Sequence, residues 1–111
     1  MRISFRKNKM RNIFNSEAEL LREYGKDNAT AIKKRMAILN AAPTLENVPS
    51  EKPTRRHPLK GDRKGEFAVD LCHPFRLVFE PDHDPIPLKK DGGIDLSEIT
   101  AVIILRVEDY H

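Results

Sequence analysis

Hydrophobic and polar positions alternate in some stretches of this chain and recur at helical spacing in others, and the switches between the two periods divide it into elements. Arg2–Phe5 alternates, with Ile3 and Phe5 on one face, which predicts a short N-terminal strand. A helical region follows. Ser16 and Glu19 form a Ser-x-x-Glu capping pattern ahead of an apolar stripe of Leu20, Leu21 and Tyr24. Gly25 either ends that helix or interrupts a longer one. Asp27 or Asn28 can cap a second segment in which Ala29, Ile32, Met36 and Leu39 recur at helical spacing. Pro43 stops it, since proline lacks an amide hydrogen and disfavours helix in the residue before it.

Residues 43–58 hold Pro43, Pro49, Pro53 and Pro58 and read as a connection with one helical turn near Leu45. Beyond it the period becomes two. Glu66–Leu71 places Phe67, Val69 and Leu71 on one face, and Phe75–Glu80 follows after only three residues, so the pair predicts an antiparallel hairpin. Arg76, Val78 and Glu80 alternate out of phase with Phe75, Leu77 and Phe79. Ala101–Val107 is apolar on both faces, the mark of a strand inside a sheet. Between the last two strands, residues 81–99 are rich in Pro, Gly and Asp, too long for a tight turn, and predict a protruding loop. The expectation is a single α+β domain over 1–111, with two N-terminal helices packed on a small antiparallel β-sheet.

Composition narrows the function classes. A chain of 111 residues with 39% hydrophobic and 33% charged residues is globular and long enough to build a core without metal or disulfide staples. Cys72 is the single cysteine, so no internal disulfide forms. The charged N-terminal run does not fit a signal peptide, and no apolar run of about 18 residues suggests a membrane span. The expected compartment is cytoplasmic.

The net charge of +3 is unevenly spread. Residues 1–11 carry Arg2, Arg6, Lys7, Lys9 and Arg11 and no acid. Residues 55–64 carry Arg55, Arg56, Lys60, Arg63 and Lys64 against Asp62, and the remainder holds more acid than base. Two basic segments on an otherwise acidic protein suit a polyanion footprint, or two solvated loops.

Three features carry candidate chemistry. The run His57–Gly65 compresses His57 and Lys60 into a compact loop. Histidine titrates near neutrality and can move a proton either way, and lysine or arginine beside a phosphate stabilises charge building on it. The chain closes in Asp109-Tyr110-His111 directly after the apolar strand, which places these side chains on a rigid element unless the tail frays. Arg76 leaves the sheet on the polar face, where it either clamps a phosphate or pairs with Glu80 or Asp70. Cys72, His73, Asp82, His83 and Asp84 fit no zinc spacing, so no metal site is expected.

Taken together, HPLKGDRKG, the strand pair EFAVDL and HPFRLVFEP, and the closing VEDYH resemble the HigB-type killer toxins of the RelE/ParE superfamily. The resemblance covers residues 2–5 and nearly all of 55–111. It implies the RelE/ParE-like microbial ribonuclease fold and a ribosome-dependent mRNA endoribonuclease (an mRNA interferase) that needs neither metal nor cofactor. In that chemistry the 2′-hydroxyl attacks the adjacent phosphate, leaving a 2′,3′-cyclic phosphate and a 5′-hydroxyl. The implied catalytic set is His57, Lys60, Arg76, Asp109, Tyr110 and His111, with Arg55, Arg56, Arg63, Lys64, Lys7 and Lys9 expected to grip mRNA or ribosomal RNA. Which histidine is base and which acid stays open. The implied partners are the ribosome and a helix-turn-helix, HigA-like antitoxin through which alone operator DNA is bound. The superfamily's other activity, non-enzymatic inhibition of DNA gyrase by ParE-like members, is the competing expectation. The 81–99 loop is longer than in compact members and departs from the pattern.

Overall fold

A computed structural model of the chain describes residues 1–110. Five strands form one sheet in the order β1-β5-β4-β3-β2, where β1 is Arg2–Phe5, β2 His57–Pro58, β3 Phe67–Asp70, β4 Phe75–Pro81 and β5 Ala101–Asp109. Helix α1 (Asn8–Phe14) and helix α2 (Glu17–Ala41) precede β2. The architecture is therefore α+β with N-terminal helices packed on a mostly antiparallel sheet. One pair departs from the antiparallel expectation: β1 runs parallel to β5, with Ile3 opposite Val102 and Phe5 opposite Ile104. A parallel pair needs a long connection: α1, α2 and the proline-rich segment carry the chain from β1 to β2 at the far edge, and β3 and β4 lead back to β5.

The helices also differ from the expected pair. Residues 8–14 form a separate short helix that buries Met10 and Ile13. The two expected helical segments instead join as α2, kinked at Gly25, whose φ of 81° and ψ of 168° only glycine adopts readily. Ser16 caps α2, its hydroxyl accepting from the Glu19 amide at 3.2 Å.

Alternation along the strands sorts their side chains onto two faces. Phe67, Val69, Leu77, Phe79, Val102 and Ile104 meet Leu20, Ile32 and Leu39 of α2 in the main core. At roughly 1.5–3 kcal/mol per large apolar side chain buried, this layer supplies most of the driving force. Phe5, Phe14 and Tyr24 stack edge to face, at 5.3 and 6.1 Å between centroids, and bind β1, α1 and α2 together. On the opposite face only Leu59, Ala68, Val78 and Leu105 form a small apolar cluster, with Ile103 packed beside it. Among the described residues no helix contributes to that cluster, and Asp70, Arg76, Glu80, Arg106 and Glu108 share the face.

The segment after β4 folds back on itself. Leu88 pairs with Ile94 in an isolated antiparallel bridge, Gly92 turns the chain, and a 3₁₀ turn at Leu96–Glu98 leads into the fully buried Ile99. His83 secures its base, since its Nε2 accepts from the Thr100 amide at 3.0 Å.

Candidate active site on the open face of the sheet

The register of the three inner strands assembles the site. Asp70 on β3 lies opposite Arg76 on β4, and Arg76 lies opposite Glu108 on β5, so the three side chains form one row across the open face. The neighbouring row is His57, Ala68, Val78 and Arg106. A register shift at Val78/Phe79 leaves Leu105 as an extra residue on β5, and this bulge brings Arg106 and Glu108 into line with Val78 and Arg76.

Glu108 is the centre of the charge network. Its Oε2 accepts from Arg76 Nε at 2.8 Å and forms an ion pair with Arg76 Nη2 at 2.5 Å; Arg63 pairs with the same oxygen. Its Oε1 accepts from Arg106 Nε at 2.7 Å, and Arg106 reaches on to Glu66 at 2.7 Å. Burial alone would push the Glu108 carboxyl up. Hydrogen bonds from Arg106, Arg76 and Arg63 outweigh it and hold the carboxyl at about 2. Neither Glu80 nor Asp70 pairs with Arg76. Glu80 pairs with Arg6, and Asp70 takes Arg55 in a two-pronged contact, Nε to Oδ2 at 2.6 Å and Nη2 to Oδ1 at 3.0 Å.

Arg55 also donates to the Tyr110 hydroxyl at 3.0 Å, while the Arg76 guanidinium sits over the Tyr110 ring at 4.3 Å. The Tyr110 amide donates to the Pro74 carbonyl at 3.1 Å. Three contacts of different kinds thus fix a residue one position from the chain end. Arg55 itself is the only non-glycine residue with positive φ among the described residues, at 47°. Its carbonyl faces His57, whose Nδ1 lies 2.7 Å away. A carbonyl can only accept, so Nδ1 carries the proton and Nε2 of the neutral ring keeps its lone pair.

The structure thus gathers His57, Arg55, Arg63, Arg76 and Tyr110 on one face. Asp109, opposite Phe75 at the end of β5, is exposed. Lys60 and Lys64 flank the 3₁₀ turn Gly61–Arg63 and are exposed. Lys7 and Lys9 lie at the start of α1, against β1, four strand spacings or roughly 19 Å from β2 at the other edge of the sheet. His111 lies outside the described residues. Arg56 joins none of these contacts: its Nε is buried without a hydrogen-bond partner among the described residues, and burial pushes its pKa down while Glu46 opposes the shift. Arg106 and Glu66 are site residues that the sequence reading did not single out; Asp70 entered it only as a partner for Arg76, and Glu108 only as part of the closing run. A signal existed, because Arg106 and Glu108 are charges at alternate positions of a strand whose first five residues are all apolar. Among the described residues no cluster of His, Cys, Asp or Glu has the arrangement to hold a metal ion, and no helix is long and apolar enough to cross a membrane.

A cleft of about 680 Å³ adjoins this face along the free edge of β2. His57, Leu59 and Lys60 line one side of it, and Lys89, Ile94 and Leu96 of the folded-back segment line the other.

No family model matches the sequence, and no curated protein does. The fold is similar to a solved structure, a YoeB/ParE toxin from Agrobacterium tumefaciens. The match covers 100% of both chains with a TM-score of 0.57 and 14% sequence identity. At that identity the likeness is one of fold.

Proposed function

We propose that this protein is the toxin of a toxin–antitoxin pair and a metal-independent endoribonuclease that cuts mRNA on the ribosome. The observation that carries the reading is His57. Its Nδ1 proton is held by the Arg55 carbonyl, and its free Nε2 belongs to a face that carries Arg76, Arg63 and Arg106. In this reading Nε2 takes the proton of the 2′-hydroxyl as its oxygen bonds to phosphorus. The bond from phosphorus to the 5′-oxygen breaks, leaving a 2′,3′-cyclic phosphate. The departing oxygen takes a proton from an acid, for which the candidate is His111, next in chain to the fixed Tyr110. Arg76 and Lys60 offset the charge of the phosphorane, a contribution of about 3–4 kcal/mol per well-placed donor. Arg63 and Lys64 hold backbone phosphates, and Arg55 positions Tyr110.

The partner in this reading is a helix-turn-helix antitoxin of HigA type, through which alone the toxin reaches operator DNA. The likeness to a YoeB/ParE toxin supports a toxin of this general kind.

A second reading, non-enzymatic inhibition of gyrase, draws on one observation. Arg55, Arg63, Arg76 and Arg106 all have carboxylate partners, as expected of a face organised for docking rather than catalysis. Translation of a defined mRNA in a cell-free system, with mapping of new 5′-ends, separates the two. New 5′-hydroxyl ends that require ribosomes support the ribonuclease. Intact mRNA alongside failed supercoiling by gyrase supports the docking toxin.

A further inference from the structure

The cleft along the β2 edge is not needed to explain the row Asp70–Arg76–Glu108, yet it opens beside His57 and Lys60. Its volume of about 680 Å³ falls in the range of small-molecule sites, roughly 300–1,000 Å³. Its walls are largely apolar, from Leu59 on one side and Ile94 and Leu96 on the other. Apart from Glu66 its charged groups are all positive. Lys60, Lys64 and Lys89 are exposed at its rim, and Arg56 lies deeper with its Nε buried and unpartnered among the described residues. The one carboxylate among the lining residues, Glu66, is already bound to Arg106. Lys89 has only a 3.9 Å contact to Asp91, and Lys60 and Lys64 have no carboxylate partner among the described residues. An apolar slot with two unpaired cations and one loosely paired cation at its mouth complements a flat apolar ring joined to phosphates, which is the chemistry of a nucleotide.

We propose that this cleft is a nucleotide subsite, in which the substrate strand places the base next to the cut between Leu59 and the Ile94–Leu96 wall. Lys64 and Lys89 take the phosphates on either side of that nucleotide. The inference rests on the ribonuclease reading and adds to it a specificity element, because the folded-back segment from Leu88 to Ile94 forms one wall. A base held in a slot of fixed width is selected by size and shape, so this segment biases which nucleotide flanks the cut.

The test uses the full chain and two readouts. The first is binding of a short single-stranded RNA across a salt series. Lys64→Ala and Lys89→Ala each lower the slope of log affinity against log salt by about 0.7, the value for one phosphate contact on a single strand. The charge-matched controls Lys26→Ala and Lys34→Ala, on exposed positions of α2, leave it unchanged. The second readout is the distribution of nucleotides flanking the cut on ribosome-bound mRNA. Ile94→Ala widens the slot and shifts that distribution, and Lys89→Ala reduces cleavage without shifting it. Slopes equal to those of the controls, or a flanking distribution unaltered by Ile94→Ala, overturn the subsite while wild-type cleavage leaves the ribonuclease standing. Absence of both RNA binding and cleavage by the wild-type chain overturns the two together.

Discussion

The Arg76 guanidinium sits 4.3 Å from the centroid of the Tyr110 ring, so the penultimate residue of the chain is anchored to the middle strand of the sheet. The same guanidinium reaches Glu108 on β5, two residues before Tyr110 in the chain. Arg76 therefore does two things at once: it neutralises Glu108 and it fixes the aromatic face that ends the described chain. Arg55 completes the arrangement through the Tyr110 hydroxyl.

These two contacts are separable by substitution. Tyr110→Phe keeps the ring under Arg76 and loses the hydrogen bond from Arg55, at a cost of about 0.5–1.5 kcal/mol. Tyr110→Ala also loses the cation–π contact, roughly 0.5–1 kcal/mol more at a partly exposed site. Urea denaturation of the two variants should therefore give midpoints in the order wild type, phenylalanine, alanine. Equal midpoints for the two variants would show that Arg76 and the ring do not interact.

Much of this was legible in the chain. The out-of-phase position of Arg76 placed it on the polar face, and the alternation of Phe67, Val69, Leu77 and Phe79 placed the core on the other. The partner of Arg76 was not legible. Asp70 and Glu80 are near it in sequence, whereas Glu108 meets it only through the β4–β5 register, and the bulge at Leu105 sets that register without a local sequence signal. Helix α1 was hidden for another reason. Its seven residues bury only Met10 and Ile13, it has no acid in its first turn, and no side chain caps it. Tertiary packing rather than propensity holds it.

Glu108 makes stability depend on acid. Its folded-state carboxyl lies at about 2, below an unfolded value near 4.3. The stabilisation is complete above the unfolded value and is lost as pH falls through the folded one, a window of roughly pH 5 to 1. Its size is on the order of 2–3 kcal/mol. Glu108→Gln should destabilise the protein by a comparable amount at neutral pH, since three guanidinium groups lose their common counter-charge. The gap to wild type should close near pH 2 in denaturant titrations. A constant gap from pH 7 to 2 would assign the loss to packing instead of charge.

Gly25 sets the kink in α2. A Cβ there meets no atom within 4 Å, so space does not forbid alanine, but the φ of 81° does. Gly25→Ala is expected to lower stability by about 1–3 kcal/mol, read as a shift in thermal midpoint. A gain in stability would mean that the helix straightens without cost.

The tautomer of His57 is directly observable. Nitrogen chemical shifts of the neutral imidazole should show the proton on Nδ1, because the Arg55 carbonyl 2.7 Å away accepts it. Arg55→Gly should leave this signature in place, as the acceptor is backbone, and should free only the Tyr110 hydroxyl. A dominant Nε2-protonated ring would remove the lone pair on which the base assignment depends.

Single-turnover cutting of ribosome-bound mRNA shows whether the open face of the sheet cleaves RNA. The wild-type chain should yield 5′-hydroxyl ends in the presence of a chelator that spares ribosomal magnesium. Arg76→Ala should slow the reaction by about 10²–10³-fold, the typical loss for one stabilising donor, with circular dichroism unchanged. Cleavage at the wild-type rate by Arg76→Ala, or no 5′-hydroxyl ends from the wild-type protein, would show that this face is not the site of RNA cleavage.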